Sequence, residues 1–334
     1  NKDNNIILFN TVSYKNHVSL MRLLNYTILA VQMNLKILST QSNTVYIVST
    51  PFPVFDILFC LLNNRNRARK LILEFRDFWP EAWLKNVRIN YIVKQLYALF
   101  LYYRNQFIRS SDVCISANKN YSNRIKKITC SKFVQHKYAY PLNDTIKYFN
   151  IKNVNLPTKK KGSIWYVAVG ASGMQHDFET VLEVFIKLSN NKLNNKYFIT
   201  CNEETFNEYK DQSTNNLHIL NYVNIDEYSY LLKHSDVGLM LYSKNTDVSF
   251  PEKFSDYIQN NIISINNLTG ECYDIIKKYE IGINIKNNLS HKDNCIKAIN
   301  LLEDKIDYYN GQINKMKHKF TNDAQIKIYL DSLR

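Results

Sequence analysis

Apolar and polar positions follow two rhythms along this chain. In the first half, short β-rich runs ("NIILFN", "TVYIVST", "KLILEF", "SDVCISA") are separated by segments whose apolar residues recur at helical spacing, such as "SLMRLLNYTILAVQMNLKIL" and "PVFDILFCLL". The second half repeats the grammar. There "SIWYVAVG", "KYFITC", "LHILNY", "DVGLMLY" and "IISINN" read as strands, and "FETVLEVFIKLS", "IDEYSYLLKHS", "EKFSDYIQNN" and "CYDIIKKY" as helices. Strands that alternate with helices predict parallel sheets covered on both faces. The expected fold class is therefore α/β, with two Rossmann-like domains. Residues 1–149 form the first, "NIKNVNLPTKKKGS" at 150–163 the connection, 164–310 the second domain and 311–334 a C-terminal helical segment. Within "INYIVKQLYALFLYYRNQFI", the residues Ile89, Ile92, Val93, Leu96, Leu99, Phe100 and Tyr103 share one helical face, expected on the core side.

Length agrees with this division, since 334 residues suffice for two ordinary domains. Charge adds an asymmetry. The net charge is +14, and the first 150 residues hold 21 Lys and Arg against 7 Asp and Glu, while the remainder is balanced at 22 of each. The first half is expected to face something anionic, nucleic acid or a membrane surface. No recognised nucleic-acid-binding motif accompanies the charge, so no nucleic-acid partner is expected. In "YALFLYYR", Tyr97, Leu101 and Tyr102 lie off the apolar face beside Lys94 and Arg104; with "NNRNRARK" upstream, the segment reads either as a surface for an anionic bilayer or as an ordinary core helix with a solvated basic loop.

Cys60, Cys114, Cys130, Cys201, Cys272 and Cys295 are scattered, without a C-x-x-C pair, which predicts neither a zinc site nor a disulfide framework and points to a reducing setting. No H-E-x-x-H pair occurs among the seven His, so no protein-held metal is expected. No uninterrupted apolar run reaches the length of a membrane span. The opening "NKDNN" carries no signal-peptide pattern and no methionine, and the expectation is that an N-terminal piece precedes it.

Ligands of open parallel sheets sit at the carboxyl ends of the strands. Three strand ends carry suitable groups. In "VAVGASGMQHDFETVL", Gly170 and Gly173 stand between a strand and a helix, where backbone N–H groups can approach a diphosphate; a plain tight turn fits the same residues. His176 lies beside them, either as a contributor or as a surface or capping residue. In "VSFPEKFSDYIQNN", Pro251 suits a helix start and Lys253 falls in the first turn, where helix polarity disfavours a cation unless an anion is bound. Asp256 is three residues on, as a ribose ligand or as half of a local ion pair. In "EFRDFWPEAW", Arg76, Asp77 and Glu81 are interleaved with Phe78, Trp79 and Trp83, which fits a pocket for a polar ring or a capped helix.

Taken together and in this order, these stretches resemble family 4 glycosyltransferases of the GT-B fold. "RDFWPE" is similar to the "RDLWPE" signature of a branch that builds bacterial surface polysaccharides. "PEKFSDYIQNNIISI" resembles the family's "P-x-K-x-x-E-Y-x-x-x-G-x-P-V-I", and "VGASGMQHDFETVLEVF" its "G-x-x-G-x-x-Q-G" loop and helix. The resemblance spans roughly residues 40–285. It implies two facing Rossmann-like domains with the active site in the inter-domain cleft, and sugar transfer from a nucleotide-diphosphate sugar with retention, without cofactor or metal. It further implies that Lys253 meets the donor diphosphate, that Asp256 stands for the ribose-binding glutamate, and that Gly170, Ala171, Ser172, Gly173 and His176 face the phosphates. Pro251 and Glu252 complete that corner, Tyr222 and Val223 lie near the base, and Arg76, Trp79 and Glu81 line the acceptor side with Asp77 as candidate base.

The implied acceptor is a lipid-linked saccharide at the anionic inner face of the cytoplasmic membrane, in capsule or O-antigen assembly. An epimerase on the same fold and a noncatalytic sugar-binding protein are the alternatives. Departures from the family pattern are Asp256 for Glu, Val248 where the first glutamate of the E-x₇-E pair falls, Asn261-Ile262 where "G-x-P" is common, and "FITCNEE" without the usual glycines.

Overall fold

The computed structural model describes residues 7–14, 20–41, 43–50, 54–75, 91–129, 135–138, 150, 153–173, 175–244, 246, 248–286 and 291–333. The chain divides into two compact units, Asn1–Ala139 with Ile328–Arg334, and Tyr140–Lys327.

In the first unit the order is α1 (Leu20–Ser39), β1 (Thr44–Thr50), α2 (Phe55–Leu61), β2 (Ala68–Phe75), α3 (Tyr91–Ser110), β3 (Val113–Ser116), α4 (Lys119–Thr129) and β4 (Gln135–Tyr138). The four strands are parallel and lie in the order β1-β2-β3-β4. Leu71, Ile72 and Leu73 in β2 are consecutive and buried, as expected of a parallel strand covered on both faces. On one side Phe55, Phe59 and Phe107 interlock, Phe59 and Phe107 with ring centroids 4.8 Å apart. On the other, Ile72, Val113 and Ile115 are covered by Ile328, Tyr329 and Leu333 from the C-terminal end of the chain, and the Tyr329 hydroxyl donates to Glu74 Oε1 at 2.9 Å.

Two expectations change here. The residues Ile7 to Asn10 of "NIILFN" form no strand; Ile7 and Leu8 are exposed, and the segment is held along α1 by Gln32, whose amide donates to the Asn10 carbonyl at 2.8 Å. With no strand pairing it among the described residues, β propensity alone does not make it a strand. In α3 the buried stripe is Arg104, Phe107 and Ile108, and Leu99 is exposed. A face set by positions 104, 107 and 108 turns residue 99 outward at 3.6 residues per turn. Ile89 and the side chains of Ile92, Val93 and Leu96 lie outside the described residues.

The second unit holds β5 (Trp165–Ala168), α5 (Phe178–Asn191), β6 (Lys196–Thr200), α6 (Glu203–Tyr209), β7 (Leu217–Leu220), α7 (Ile225–His234), β8 (Val237–Met240), α8 (Glu252–Gln259), β9 (Ile263–Asn266), α9 (Glu271–Tyr279), β10 (Gly282–Asn284), α10 (His291–Glu303) and α11 (Ile306–Met316), followed by α12 (Asn322–Leu333), whose last turns belong to the first unit. All pairings are parallel in the order β10-β9-β8-β5-β6-β7. The chain runs outward from β5 to β7, returns, and continues from β8 on the other side. That reversal between β5 and β8 is the topological switch point of a doubly wound sheet, where loops leave in opposite directions and open a crevice.

The core is dense in aromatic residues. Trp165, Tyr166, Tyr197, Phe198 and Phe185 are fully buried. Gly238 in β8 is required by packing, since a Cβ there would come within 2.3 Å of Tyr257 Cε2, on a fully buried ring from α8. Residues 153–163, within the stretch read as a connection, are fastened to this unit: Asn153 Nδ2 donates to Asp226 at 2.6 Å and Lys159 pairs with Asp236 at 2.6 Å.

Among the described residues no helix is long and apolar enough to cross a membrane, no group of three or more His, Cys, Asp or Glu could hold a metal ion, and Cys60, Cys114, Cys201, Cys272 and Cys295 are free thiols.

Candidate donor site

The switch point brings together the loop after β5 and the start of α8. β5 ends at Ala168, and the chain continues through Val169 into Gly170 and Gly173, both with positive φ (54° and 98°). These backbone conformations favour glycine and explain why the glycines stand there. Asp177 then caps α5, its carboxylate accepting from the Thr180 N–H at 3.3 Å.

Not every amide of this loop is available to a ligand. Gly170 N–H donates to Thr200 Oγ1 at 2.8 Å, and Ala171 N–H to the Thr200 carbonyl at 2.9 Å. Ser172 uses its hydroxyl to accept from Asn202 N–H at 2.9 Å. The backbone N–H groups of Ser172 and Gly173 take no partner among the described residues. The expected phosphate-facing loop is thereby narrowed to its second half, with the first half tied to the end of β6.

Lys253 reaches this loop from α8. Its Nζ donates to the Val169 carbonyl at 2.6 Å and the Gly170 carbonyl at 3.2 Å, and lies 5.3 Å from the centre of the Tyr242 ring. The helix begins at Glu252, with Pro251 in extended conformation as the N-cap residue, one position earlier than a proline of the first turn. Lys253 thus places an amine at the positive end of a helix, where two carbonyls and an aromatic face favour its charged form. Burial holds its pKa down to about 7.

Asp256 does not join Lys253 in this corner. It is buried at 2% exposure, and its Oδ2 accepts from the Tyr228 hydroxyl of α7 at 2.6 Å. Burial, and then the carboxylate, push the Tyr228 phenol up. Lys253 is therefore held by carbonyls and Asp256 by a tyrosine, in place of the local ion pair that their spacing also allowed.

His176 sits against Tyr242, with which it forms an isolated antiparallel bridge and a ring contact at 4.6 Å. Burial, followed by the charge of Lys253, lowers its pKa to about 3, so it is a neutral imidazole. Tyr242 is itself anchored by Asn267, whose Nδ2 donates to the Tyr242 carbonyl at 2.7 Å while its Oδ1 accepts from the Tyr242 N–H at 2.8 Å. Tyr222 follows the C-terminal end of β7 and is 79% exposed, a free aromatic face on the carboxyl edge of the sheet; Val223 beside it packs on the core. Glu252 is exposed at the first position of α8. Val248 is half-buried against the core.

The structure brings Lys253 to the loop that holds Gly170, Ala171, Ser172 and Gly173, with Lys253 and His176 both against Tyr242; Pro251 and Glu252 precede Lys253 at the start of α8, and Asp256 turns to Tyr228 instead. Arg76, Asp77, Trp79 and Glu81 lie outside the described residues. Tyr242, Thr200 and Tyr228 are participants that motif spacing did not single out. Tyr242 was signalled only by its place at the end of "DVGLMLY".

No family model matches the sequence, and no curated relative matches it. Solved structures do. OtsA in its apo form shares 9% identity at TM-score 0.66, covering 95% of this chain and 79% of that one. WaaG, a glycosyltransferase involved in lipopolysaccharide biosynthesis, shares 14% identity at TM-score 0.62, covering 98% and 85%. The pneumococcal O-GlcNAc transferase GtfA, solved with UDP and GlcNAc, shares 10% identity at TM-score 0.57, covering 90% and 58%. The chain has the GT-B fold. At these identities the likeness is one of architecture, two Rossmann-like α/β units, and the expected fold class stands.

Proposed function

We propose that the protein is a glycosyltransferase that binds a nucleotide-diphosphate sugar at the end of β5 and passes the sugar, with retention, to a saccharide acceptor. The observation that carries this is Lys253, an amine at a helix N-terminus bound to the Val169 and Gly170 carbonyls of the loop that continues into Ser172 and Gly173, on the switch point of a doubly wound sheet. Such a corner suits a diphosphate. Fold likeness to OtsA, WaaG and GtfA supports the class of reaction, and the motif order supports membership of family 4.

In this reading Lys253 and the N-terminus of α8 stabilise charge on the departing nucleoside diphosphate as the glycosidic bond breaks. Tyr222 offers its face to the base. The acceptor hydroxyl attacks the anomeric carbon from the side the diphosphate leaves, losing its proton to Asp77 or to the departing phosphate. No side-chain nucleophile, metal or cofactor is part of the scheme; orientation and leaving-group stabilisation supply the rate. The acceptor is proposed to be lipid-linked, presented at the anionic inner face of the cytoplasmic membrane to the basic first unit during synthesis of a surface polysaccharide such as capsule or O-antigen. WaaG's part in lipopolysaccharide biosynthesis is in keeping with that setting.

A thermal-shift panel of UDP, GDP, ADP, CMP and TDP on wild type and Lys253→Ala tests the donor site. A diphosphate at about 100 times its Kd stabilises the fold by about 2.7 kcal/mol. One diphosphate that shifts wild type and not the variant is the expected result; no shift with any of the five overturns the assignment. Val248, where the family has a glutamate, favours a second reading as a sugar-binding protein without turnover. Nucleotide binding without release of free sugar or transfer to any acceptor would select it.

A further inference from the structure

A concavity lies on the flank of the second unit, along β10 at the edge of its sheet. Its volume is about 360 Å³, and Tyr273, Lys277, Glu280, Asn284, Tyr308 and Tyr309 line it. None of these residues belongs to the donor corner. The size matches a small oligosaccharide or drug-sized ligand.

The lining is built from flat aromatic faces and a few polar groups. Tyr273 and Tyr308 are 40% and 49% exposed. Tyr308 and Tyr309 stand nearly at right angles, 79° between planes with centroids 5.5 Å apart, so that they form two walls of a corner. The Tyr308 hydroxyl donates to Glu280 Oε2 at 2.5 Å, which fixes one carboxylate oxygen and leaves the other without a partner among the described residues. Asn284 is locked in place: its Nδ2 donates to the Tyr273 carbonyl at 3.0 Å, and its Oδ1 accepts from Asn266 at 2.8 Å. Glu280 itself has φ 52°, a left-handed conformation at the C-terminus of α9 where glycine or asparagine is usual. A glutamate at that position carries a backbone cost that a glycine would not.

The chemistry of the lining selects the ligand. An anionic ligand such as a nucleotide would meet Glu280. A quaternary ammonium suits three tyrosines and a carboxylate, but Lys277 puts a positive charge in the same wall. A lipid chain would strip water from Glu280 and Lys277 without replacing it. A neutral pyranose ring meets every requirement, since its apolar faces pack on tyrosine rings and its hydroxyl groups both accept from Lys277 and donate to Glu280.

We propose that this flank is a second, noncatalytic saccharide site that holds one or more neutral sugar units of a glycan through Tyr273, Tyr308 and Glu280. The proposal stands on this lining and does not depend on the donor-site reading. The test is a titration of the full chain, with tyrosine rings labelled for NMR, using maltotriose, cellotriose and chitotriose as neutral probes and choline as the cationic one. One or more trisaccharides should shift the ring signals of Tyr273 and Tyr308 at millimolar concentration, and Tyr308→Ala and Glu280→Gln should each weaken that binding about tenfold or more. Glu280→Gln changes an exposed side chain to one of the same size, so it is expected to fold and stands as the second variant should Tyr308→Ala fail to fold. Absence of any shift up to tens of millimolar trisaccharide, a shift by choline alone, or trisaccharide binding unchanged in Glu280→Gln would overturn the proposal. UDP binding followed in the same samples reports the donor corner separately.

Discussion

A cation held at the positive end of a helix makes diphosphate binding depend on pH in a defined way. In the free protein Lys253 titrates at about 7 because burial disfavours its charge. A bound diphosphate supplies the missing counter-charge and returns the ammonium toward its ordinary value near 10.4. At pH 8 the free protein carries about one-tenth of a proton on Lys253 and the complex nearly one, so binding takes up about 0.9 proton. Affinity is then flat below pH 7 and falls about tenfold per unit above it, about ninetyfold from pH 6 to pH 9 once the ligand's own phosphate titration is subtracted. His176, at about 3, and Tyr242 and Tyr228, both pushed well above the ordinary tyrosine range by burial, do not titrate in that window. Calorimetry in two buffers of different ionisation enthalpy reads the proton directly, and Lys253→Met should abolish both the uptake and the slope. Affinity constant between pH 7 and pH 9 with no proton uptake would refute the reasoning. In the free protein the sign is opposite: the unfolded chain binds the proton between about 7 and 10.4 where the folded chain does not, so stability rises with pH across that interval.

Gly238→Ala should destabilise the second unit by about 1–3 kcal/mol, because its methyl group collides with the Tyr257 ring; chemical denaturation with an unchanged midpoint would contradict that packing. Tyr228→Phe removes a donor from the buried carboxylate of Asp256, with an expected loss of about 1–3 kcal/mol in thermal or urea unfolding. Thr200→Val should free the Gly170 N–H, loosening the loop and weakening diphosphate affinity with little effect on stability; hydrogen exchange at Gly170 in wild type and variant measures it.

The alternation of strands and helices was legible because burial on both faces of a parallel sheet leaves continuous apolar runs such as "LIL" in β2 and "WYVA" in β5. The place of Lys253 in the first turn of α8 was legible too, from the proline just before it. The partner of Asp256 was not. Residue spacing places it three positions from Lys253, but only the packing of α7 against α8 reveals that Tyr228 takes its carboxylate. Likewise Gly170 looks like an open amide in the sequence, and the partner that closes it, Thr200, is thirty residues away and adjacent only through the pairing of β5 with β6. The described part of "NIILFN", Ile7 to Asn10, departs from its reading for the same reason in reverse: composition indicates a strand, and nothing local records that these residues pair with no strand among the described residues. The flank concavity, assembled from α9, β10 and α11, has no motif at all.

The C-terminal residues Ile328, Tyr329 and Leu333 close one face of the first unit's sheet, whereas the second unit is a continuous stretch, Tyr140–Lys327. Order of synthesis therefore differs from order of completion. When Ala139 leaves the ribosome, Ile72, Val113 and Ile115 still lack their cover, and at roughly 5–20 residues per second the covering residues follow about 10–40 s later. The second unit can finish folding during that interval, and the first buries this apolar face only once residues 328–333 have been made.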